Sequence, residues 1–390
     1  MNTILRKQFL AHVGQTSPSP MLVEVERAEG SFFYTPEGRR YYDLVAGVSV
    51  SNVGHANAAV VRAVQEQAAR YMHVMVYGEL VEAPQVRYAA RIASLLPGGL
   101  ESVYFVNSGA EAVEGALKLA KRFTGRTELI SMRRAYHGST HGSMSVMGAP
   151  EGEEWKGAFR PLLPDVQAIE FNDPAQLDRI TRRTACVLVE PVQGEAGVRV
   201  PQPGYLEALR RRCDEVGALL VFDEIQTGLG RTGELFAMQK YGVVPDIVCL
   251  AKAFGGGMPL GAFVARHEIM DTLQSNPVLG HITTFGGHPV CCAAGLAALE
   301  YLLEHHVVEQ VEAKGALYEE LLQGHPAVRE IRRSGLLLAV ELGSSERLYR
   351  IMSDWFLFCD TAFRISPPLT ISEEEVRDSA RIILGCLDRL

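Results

Sequence analysis

Six short runs dominated by Val, Ile and Leu punctuate the middle of the chain: SVYFV (102–106), TELISM (127–132), ACVLVE (185–190), ALLVFDE (218–224), DIVCLAK (246–252) and AFVAR (262–266). Between several of them lie amphipathic stretches of helical period, such as Ala110 to Phe123 and Pro203 to Val216. Strands this apolar cannot leave a face in water. Alternating with helices, they imply an α/β fold with a largely parallel, buried sheet and right-handed crossovers. Ligands of such sheets sit beyond the carboxyl ends of the strands. Glu190, Asp223 and Lys252 close three of the runs and are expected to converge there.

After about Gly286 the pattern changes. Helical stretches at 288–304, 307–323 and 372–389 enclose strands at GLLLAVEL (335–342) and FRIS (363–366). This reads as a smaller α/β unit completed by the N-terminal segment, where YTPEGRRYYDL (34–44) has the form of a hairpin turning at Pro36, Glu37 and Gly38. A chain of 390 residues also exceeds one simple core. The expected division is 1–45 as the N-terminal part of the small domain, 46–286 as the large domain that holds the ligand, and 287–390 as the C-terminal small domain.

The charge excludes some partners. Against 38 Lys and Arg stand 46 Asp and Glu, a net −8 spread along the chain, which argues against a nucleic-acid surface. No apolar run approaches the roughly 20 residues of a membrane span, and MNTILRKQFLAHVGQT lacks the features of a secretory signal. Seven cysteines, Cys186, Cys213, Cys249, Cys291, Cys292, Cys359 and Cys386, show no CxxC spacing and lie mostly in apolar segments. Reduced, buried thiols in a cytoplasmic protein are the expectation.

Chemistry gathers in a few segments. FDEIQTGLGRTG (222–233) and DIVCLAKAFGGGMPLGA (246–262) each set a charged group at the end of an apolar run. Asp223 alone reads equally as a cap, and Lys252 alone as a lysine reaching solvent. Together they suit an aromatic aldehyde. A buried lysine amine is more readily deprotonated and can condense with it, a carboxylate can keep a pyridine nitrogen protonated, and Gly255 to Gly257 leave backbone room. NSGAEAVEGALKLAKR (107–122) opens a helix, and Ser108 with Glu111 matches a capping box. The same geometry turns free N–H groups toward an anion, with Ser108, Gly109 and Ala110 small enough for close approach.

In AYHGSTHG (135–142), His137 and His141 are four apart, but Gly138 stands where a metalloprotease needs Glu, so no metal site is expected. Tyr136 suits stacking on a flat ligand or core packing. In EPVQGEAG (190–197), Glu190 and Glu195 could serve glycoside hydrolysis, yet no aromatic sugar platform lies nearby. Arg364 interrupts the apolar AFRISPPLTI (362–371) and is either paired internally or kept for a ligand carboxylate.

Taken in order, NSGAEA, YHG, EPVQGE, FDEIQTGLGRTG, the Lys252 segment, HITTFGGHP and FRISPPL resemble the motifs of class III aminotransferases, from about Tyr34 to the C-terminus. That family comprises pyridoxal-phosphate enzymes of fold type I, with a mostly parallel seven-stranded sheet in the large domain. The resemblance implies that Lys252 forms a Schiff base with pyridoxal 5'-phosphate, Asp223 pairs with its ring nitrogen, and Gln226 lies near its phenolic oxygen. Ser108, Gly109 and Ala110 would bind the phosphate. Tyr136 would stack on the ring, with His137 and Glu190 close by. Thr284 would reach the phosphate of a neighbouring subunit, which implies a homodimer with shared sites. Glu195 would hold Arg364 until a substrate α-carboxylate displaces it.

The implied reaction moves an amino group from a terminal or β amine to a 2-oxo acid such as 2-oxoglutarate, with ping-pong kinetics. Three positions depart from common family patterns. Val48 stands where ornithine aminotransferases carry a recognition tyrosine, Ser139 where many acetylornithine and 4-aminobutyrate enzymes carry arginine, and His288 where GGNP has asparagine. An aminomutase or racemase of the same fold, or a non-catalytic relative, shares the cofactor motifs. Glutamate formation from an amine panel separates them.

Overall fold

The computed structural model describes residues 3–148, 155–343, 358–359 and 362–389. Three short strands, β1 (Arg27–Glu29), β2 (Phe32–Tyr34) and β3 (Arg40–Tyr42), make an antiparallel sheet near the N-terminus. The hairpin read at 34–44 is its second connection: Gly38, at φ +78°, donates its N–H to Thr35 O and lets β3 pair with β2.

The central sheet has seven strands: β4 (Ser102–Val106), β5 (Glu128–Met132), β6 (Val166–Ile169), β7 (Thr184–Val189), β8 (Leu219–Asp223), β9 (Ile247–Leu250) and β10 (Gly261–Ala265). Their spatial order is β4-β10-β9-β8-β7-β5-β6. Only β10 runs antiparallel to its neighbours, β4 and β9. Six strands coincide, within a few residues at their ends, with the apolar runs. The seventh, β6, sits at the sheet edge with VQAI half exposed, so it carries no continuous apolar signal.

In the strands β7, β8, β9 and β10 every residue is buried, because layers cover both faces. Alternate side chains serve opposite cores. Val187, Val189, Leu220 and Phe222 pack with Leu206 and Leu209 of the helix Tyr205–Val216. Cys186, Leu188, Leu219 and Val221 pack with Val113 and Leu117 of the helix Gly109–Thr124. Burying each such side chain contributes about 1.5–3 kcal/mol.

A third, antiparallel sheet has the order β11-β12-β14-β13, from β11 (Val328–Ser334), β12 (Leu337–Leu342), β13 (Phe358–Cys359) and β14 (Ala362–Ile365). Strand β11 was not legible in the sequence. Its VREIRRS is mostly charged because it lies at an edge, where Arg332 pairs with Glu341 and Arg333 with Glu319. Helices Val311–Leu322 and Glu373–Leu387 pack together, and Tyr318 Oη lies 2.7 Å from Ser379 Oγ. The N-terminal segment joins this region: Ser366 N donates to Leu44 O and Leu369 N to Asn52 O, each at 2.8 Å. The helix Pro289–Glu304 instead packs on the helices Ala58–Arg70 and Ala83–Leu95 and on the turn that follows β9.

Cys186, Cys213, Cys249, Cys291 and Cys292 are buried free thiols and Cys386 a half-buried one. Burial pushes Cys186 and Cys213 up to about 12, so neither is a thiolate at neutral pH. Among the described residues no helix is long and apolar enough to cross a membrane.

Candidate active site

The carboxyl ends of β7, β8 and β9 meet at one cavity of about 550 Å³. Glu190 follows the last residue of β7, and Asp223 is the last of β8. Lys252 departs from the sequence reading: β9 stops at Leu250, and Lys252 opens a 3-10 turn, Lys252–Gly255, with φ at +53°. A long side chain in left-handed backbone is strained, and the surrounding structure must hold it there. All three residues line the cavity, as do Ser108, Gly109, Ala110, Tyr136, His137, Gln226 and Glu195.

Asp223 is only 4% exposed. One of its oxygens accepts from Ile225 N, and the other lies 2.6 Å from His137 Nδ1. His137 is equally buried, and its Nε2 has no partner among the described residues. Glu190 accepts from Tyr136 N through one oxygen and from Gly194 N through the other, both at 3.0 Å. Burial nevertheless outweighs those amides and pushes its carboxyl up to about 7. Burial likewise holds the Lys252 ammonium below its ordinary value, against the opposing pull of Glu195 and Asp223.

The helix Gly109–Thr124 points its N-terminus into the cavity. Ser108 Oγ accepts from Glu111 N at 3.2 Å, one half of the expected capping box. The other half fails, because Glu111 reaches past Ser108 to Asn107, accepting from its N and its Nδ2 at 2.8 Å. The amides of Ser108, Gly109 and Ala110 thus find no acceptor among the described residues, and they sit at the positive end of the helix dipole. Gly138 seals this end. At φ +119°, a Cβ there would lie 2.8 Å from Ala110 Cβ. Tyr136 is 42% exposed, and its hydroxyl lies 3.1 Å from Ser139 Oγ.

Arg364, on β14 and 3% exposed, donates from Nη1 to Glu195 Oε1 at 2.6 Å. The buried Gln226 amide packs on Gly194 so closely that a Cβ at 194 would collide with its Oε1. Thr284 is exposed and lies outside the lining of this cavity. Asn107, which the sequence reading did not single out, lines the cavity and ties it to the 281–287 loop by donating from Nδ2 to Thr283 Oγ1 at 2.8 Å. The motif NSGAEA contains it, but only the tertiary contact reveals its use. No cluster of metal-ligating side chains occurs among the described residues.

This donor set fits a phosphorylated pyridine aldehyde. Unpartnered amides at a helix N-terminus suit a phosphate, a buried carboxylate backed by His137 suits a ring nitrogen, and a lysine with a depressed pKa suits a carbonyl. The fold, with the relatives below, is that of a pyridoxal-phosphate-dependent transaminase of fold type I.

The family profile described as Aminotransferase class-III matches residues 13–387, and the chain belongs to that family. It is 42% identical over 359 residues to an acetylornithine aminotransferase of Methanopyrus kandleri, covering 89% of this chain and 90% of the relative. An acetylornithine aminotransferase of Methanocaldococcus jannaschii is 37% identical over 371 residues, covering 91% and 90% respectively. The crystal structure of the ornithine aminotransferase from Toxoplasma gondii superposes with a TM-score of 0.89 at 30% identity, over 99% of this chain and 94% of that one.

Proposed function

We propose that the chain transfers an amino group from a terminal (ω) or β amine of an amino-acid-like donor to a 2-oxo acid, with 2-oxoglutarate as the acceptor. The observation that carries this reading is the meeting of Lys252, Asp223 and Glu195 around one cavity, with Arg364 held behind Glu195. The acetylornithine and ornithine aminotransferases that the chain resembles support a donor of this class.

When bound, pyridoxal phosphate supplies an aldehyde and a ring that withdraws electrons. Lys252 would hold that aldehyde. Once displaced by substrate, its Nζ would act as the base and acid that carries a proton at the reacting carbons, a role favoured by its depressed pKa. Asp223 would face the ring nitrogen, oriented by the hydrogen bond from His137. Gln226 would lie by the phenolic oxygen. The amides of Ser108, Gly109 and Ala110 would take the phosphate, and Tyr136 would cover one face of the ring. Glu190 would border the substrate.

The pair at the cavity edge would sort the two substrates. With Glu195 in place, the Arg364 charge is occupied, which suits a donor presenting an amine. When a 2-oxo acid enters, its α-carboxylate would replace Glu195 on the guanidinium. Ser139 and Val48 leave the donor side without the arginine or tyrosine seen in some members of the family, so the donor need not carry a carboxylate there.

A homodimer is part of the same reading. Exposed Thr284 lies among exposed Val278, Leu279, Ile282 and Phe285, which suits a surface covered by a second copy. The buried free thiols suit a cytoplasmic setting. Purified protein given an amine panel and 2-oxoglutarate tests the reaction by glutamate formation and bleaching of the visible cofactor band. An amine that isomerises without an acceptor, with no amine yielding glutamate, would refute it in favour of an aminomutase.

A further inference from the structure

The segment GLGRTG (228–233), which follows Gln226 and Thr227, has no part in the chemistry above, yet it contains the largest fully buried side chain in the described structure, Arg231. Its Nη1 donates to Leu336 O at 3.0 Å and to Pro367 O at 2.7 Å, and its Nη2 donates to Asn52 Oδ1. Its own carbonyl accepts from Leu336 N at 3.1 Å. Asn52 completes the knot: its Nδ2 donates to Leu229 O and its carbonyl accepts from Leu369 N, both at 2.8 Å. No carboxylate takes part in these bonds. A buried cation held only by carbonyls, with its Nε left without a partner among the described residues, is costly for stability alone, where an apolar residue of similar size often serves as well.

The partners point to another role. Leu336 precedes β12, whose Ala339 pairs directly with Arg364 of β14, and Pro367 lies three residues beyond Arg364. Asn52 lies two residues past Val50, which lines the cavity. Arg231 itself lies eight residues past Asp223 and five past Gln226. One guanidinium therefore ties the strands that carry Arg364, and the segment beside Val50, to the short chain that carries Asp223 and Gln226. The planar fork spreads these bonds over two nitrogens held in fixed geometry, whereas the three donors of a lysine ammonium radiate from a single nitrogen.

We propose that Arg231 is a positioning residue that sets the distance between the carboxylate grip of Arg364 and the ring-facing pair Asp223 and Gln226. The inference rests on the proposed role of Arg364. Misplacing a binding group by about 1 Å can cost up to about 100-fold, so Arg231→Gln should raise the KM for 2-oxoglutarate by about 10- to 100-fold. The visible absorption of the bound cofactor should stay unchanged, and kcat should move far less than KM. Arg231→Lys should fall between wild type and Arg231→Gln.

Asn52→Ala, which removes one acceptor of the fork, should shift KM in the same direction and keeps the test open should Arg231→Gln not fold. A lower melting temperature with wild-type KM in these variants would overturn the proposal and leave Arg231 as a purely structural residue. Equal losses in KM and cofactor absorption would overturn it as well. Arg364→Gln, assayed in parallel, separates the two ideas: an unchanged KM there defeats the carboxylate reading itself, whatever Arg231 does.

Discussion

Arg364 Nη1 and Glu195 Oε1 lie 2.6 Å apart, joining β14 of the C-terminal sheet to the loop that follows β7. The arginine is almost fully buried and the carboxylate about one-third exposed, so the movable partner is Glu195. Removing Arg364 should act on the acceptor: charge-assisted hydrogen bonds contribute about 1.5–3 kcal/mol, so Arg364→Gln should raise the KM for 2-oxoglutarate by roughly 10- to 150-fold. Glu195→Gln should do the reverse and lower that KM, because a neutral amide competes poorly with the incoming carboxylate. Steady-state kinetics with acceptor varied at fixed donor reads both.

Lys252→Ala should abolish turnover, with kcat down by at least about 10²–10⁴-fold, the share ordinarily supplied by a positioned proton carrier. The variant should still bind cofactor through the helix N-terminus and Asp223, but borohydride should fix none of it to the chain. Mass spectrometry after reduction checks this, and substantial turnover by the variant would remove Lys252 from its assigned place.

The hydrogen bond from His137 to Asp223 is short and buried. His137→Phe leaves one oxygen of that carboxylate without its partner, a deficit of about 1–3 kcal/mol for a buried group. The expected result is a cofactor whose visible band titrates at a different pH from wild type, together with a lower kcat. An unchanged spectral titration would mean that His137 does not orient Asp223.

Gly138→Ala combines a φ of +119° with a Cβ placed 2.8 Å from Ala110 Cβ. Relief requires the loop to move off the first turn of the helix Gly109–Thr124, where the free amides lie. Cofactor affinity should fall by about tenfold or more, on the scale of about 1–3 kcal/mol for backbone strain of this kind. Titration of the apoprotein with pyridoxal phosphate measures it.

Glu190 gives a pH signature. Its carboxyl is pushed from an ordinary 4.5 to about 7 by burial, so the native state holds a proton that the unfolded chain releases. Between those values the native protein binds more protons, and stability falls as pH rises. The contribution is fully present below about 4.5 and lost as pH passes through about 7. Glu224 is raised to about 7 by the same cause and adds to the trend. Denaturation of the apoprotein from pH 4.5 to 8 should therefore show a shallower decline for Glu190→Gln than for wild type. Parallel slopes would show that Glu190 does not carry the raised pKa.

The apolar runs marked six of the seven central strands because five of them, β5 and β7 to β10, are buried throughout, while β4, though at an edge, still carries Val103, Phe105 and Val106. Strands β6 and β11 escaped for the converse reason. At these two edges one side meets water, and the sequence there turns half polar or charged. Asp223, Glu190, Lys252, Arg364 and the Ser108 to Ala110 turn were legible because charged or small residues stand out against apolar neighbours.

What the sequence alone determined, then, is which groups lie at the carboxyl ends of a buried sheet, since period and hydrophobicity are local properties. Only the tertiary structure decided how those groups meet: the left-handed backbone at Lys252, the turn of Glu111 to Asn107 rather than Ser108, and the His137 bond to Asp223. The tertiary structure likewise decided the Arg231 knot, joining residues 52, 231, 336 and 367. Contacts between residues this far apart in the chain are fixed by packing of the whole domain, and no window of sequence contains both ends of them.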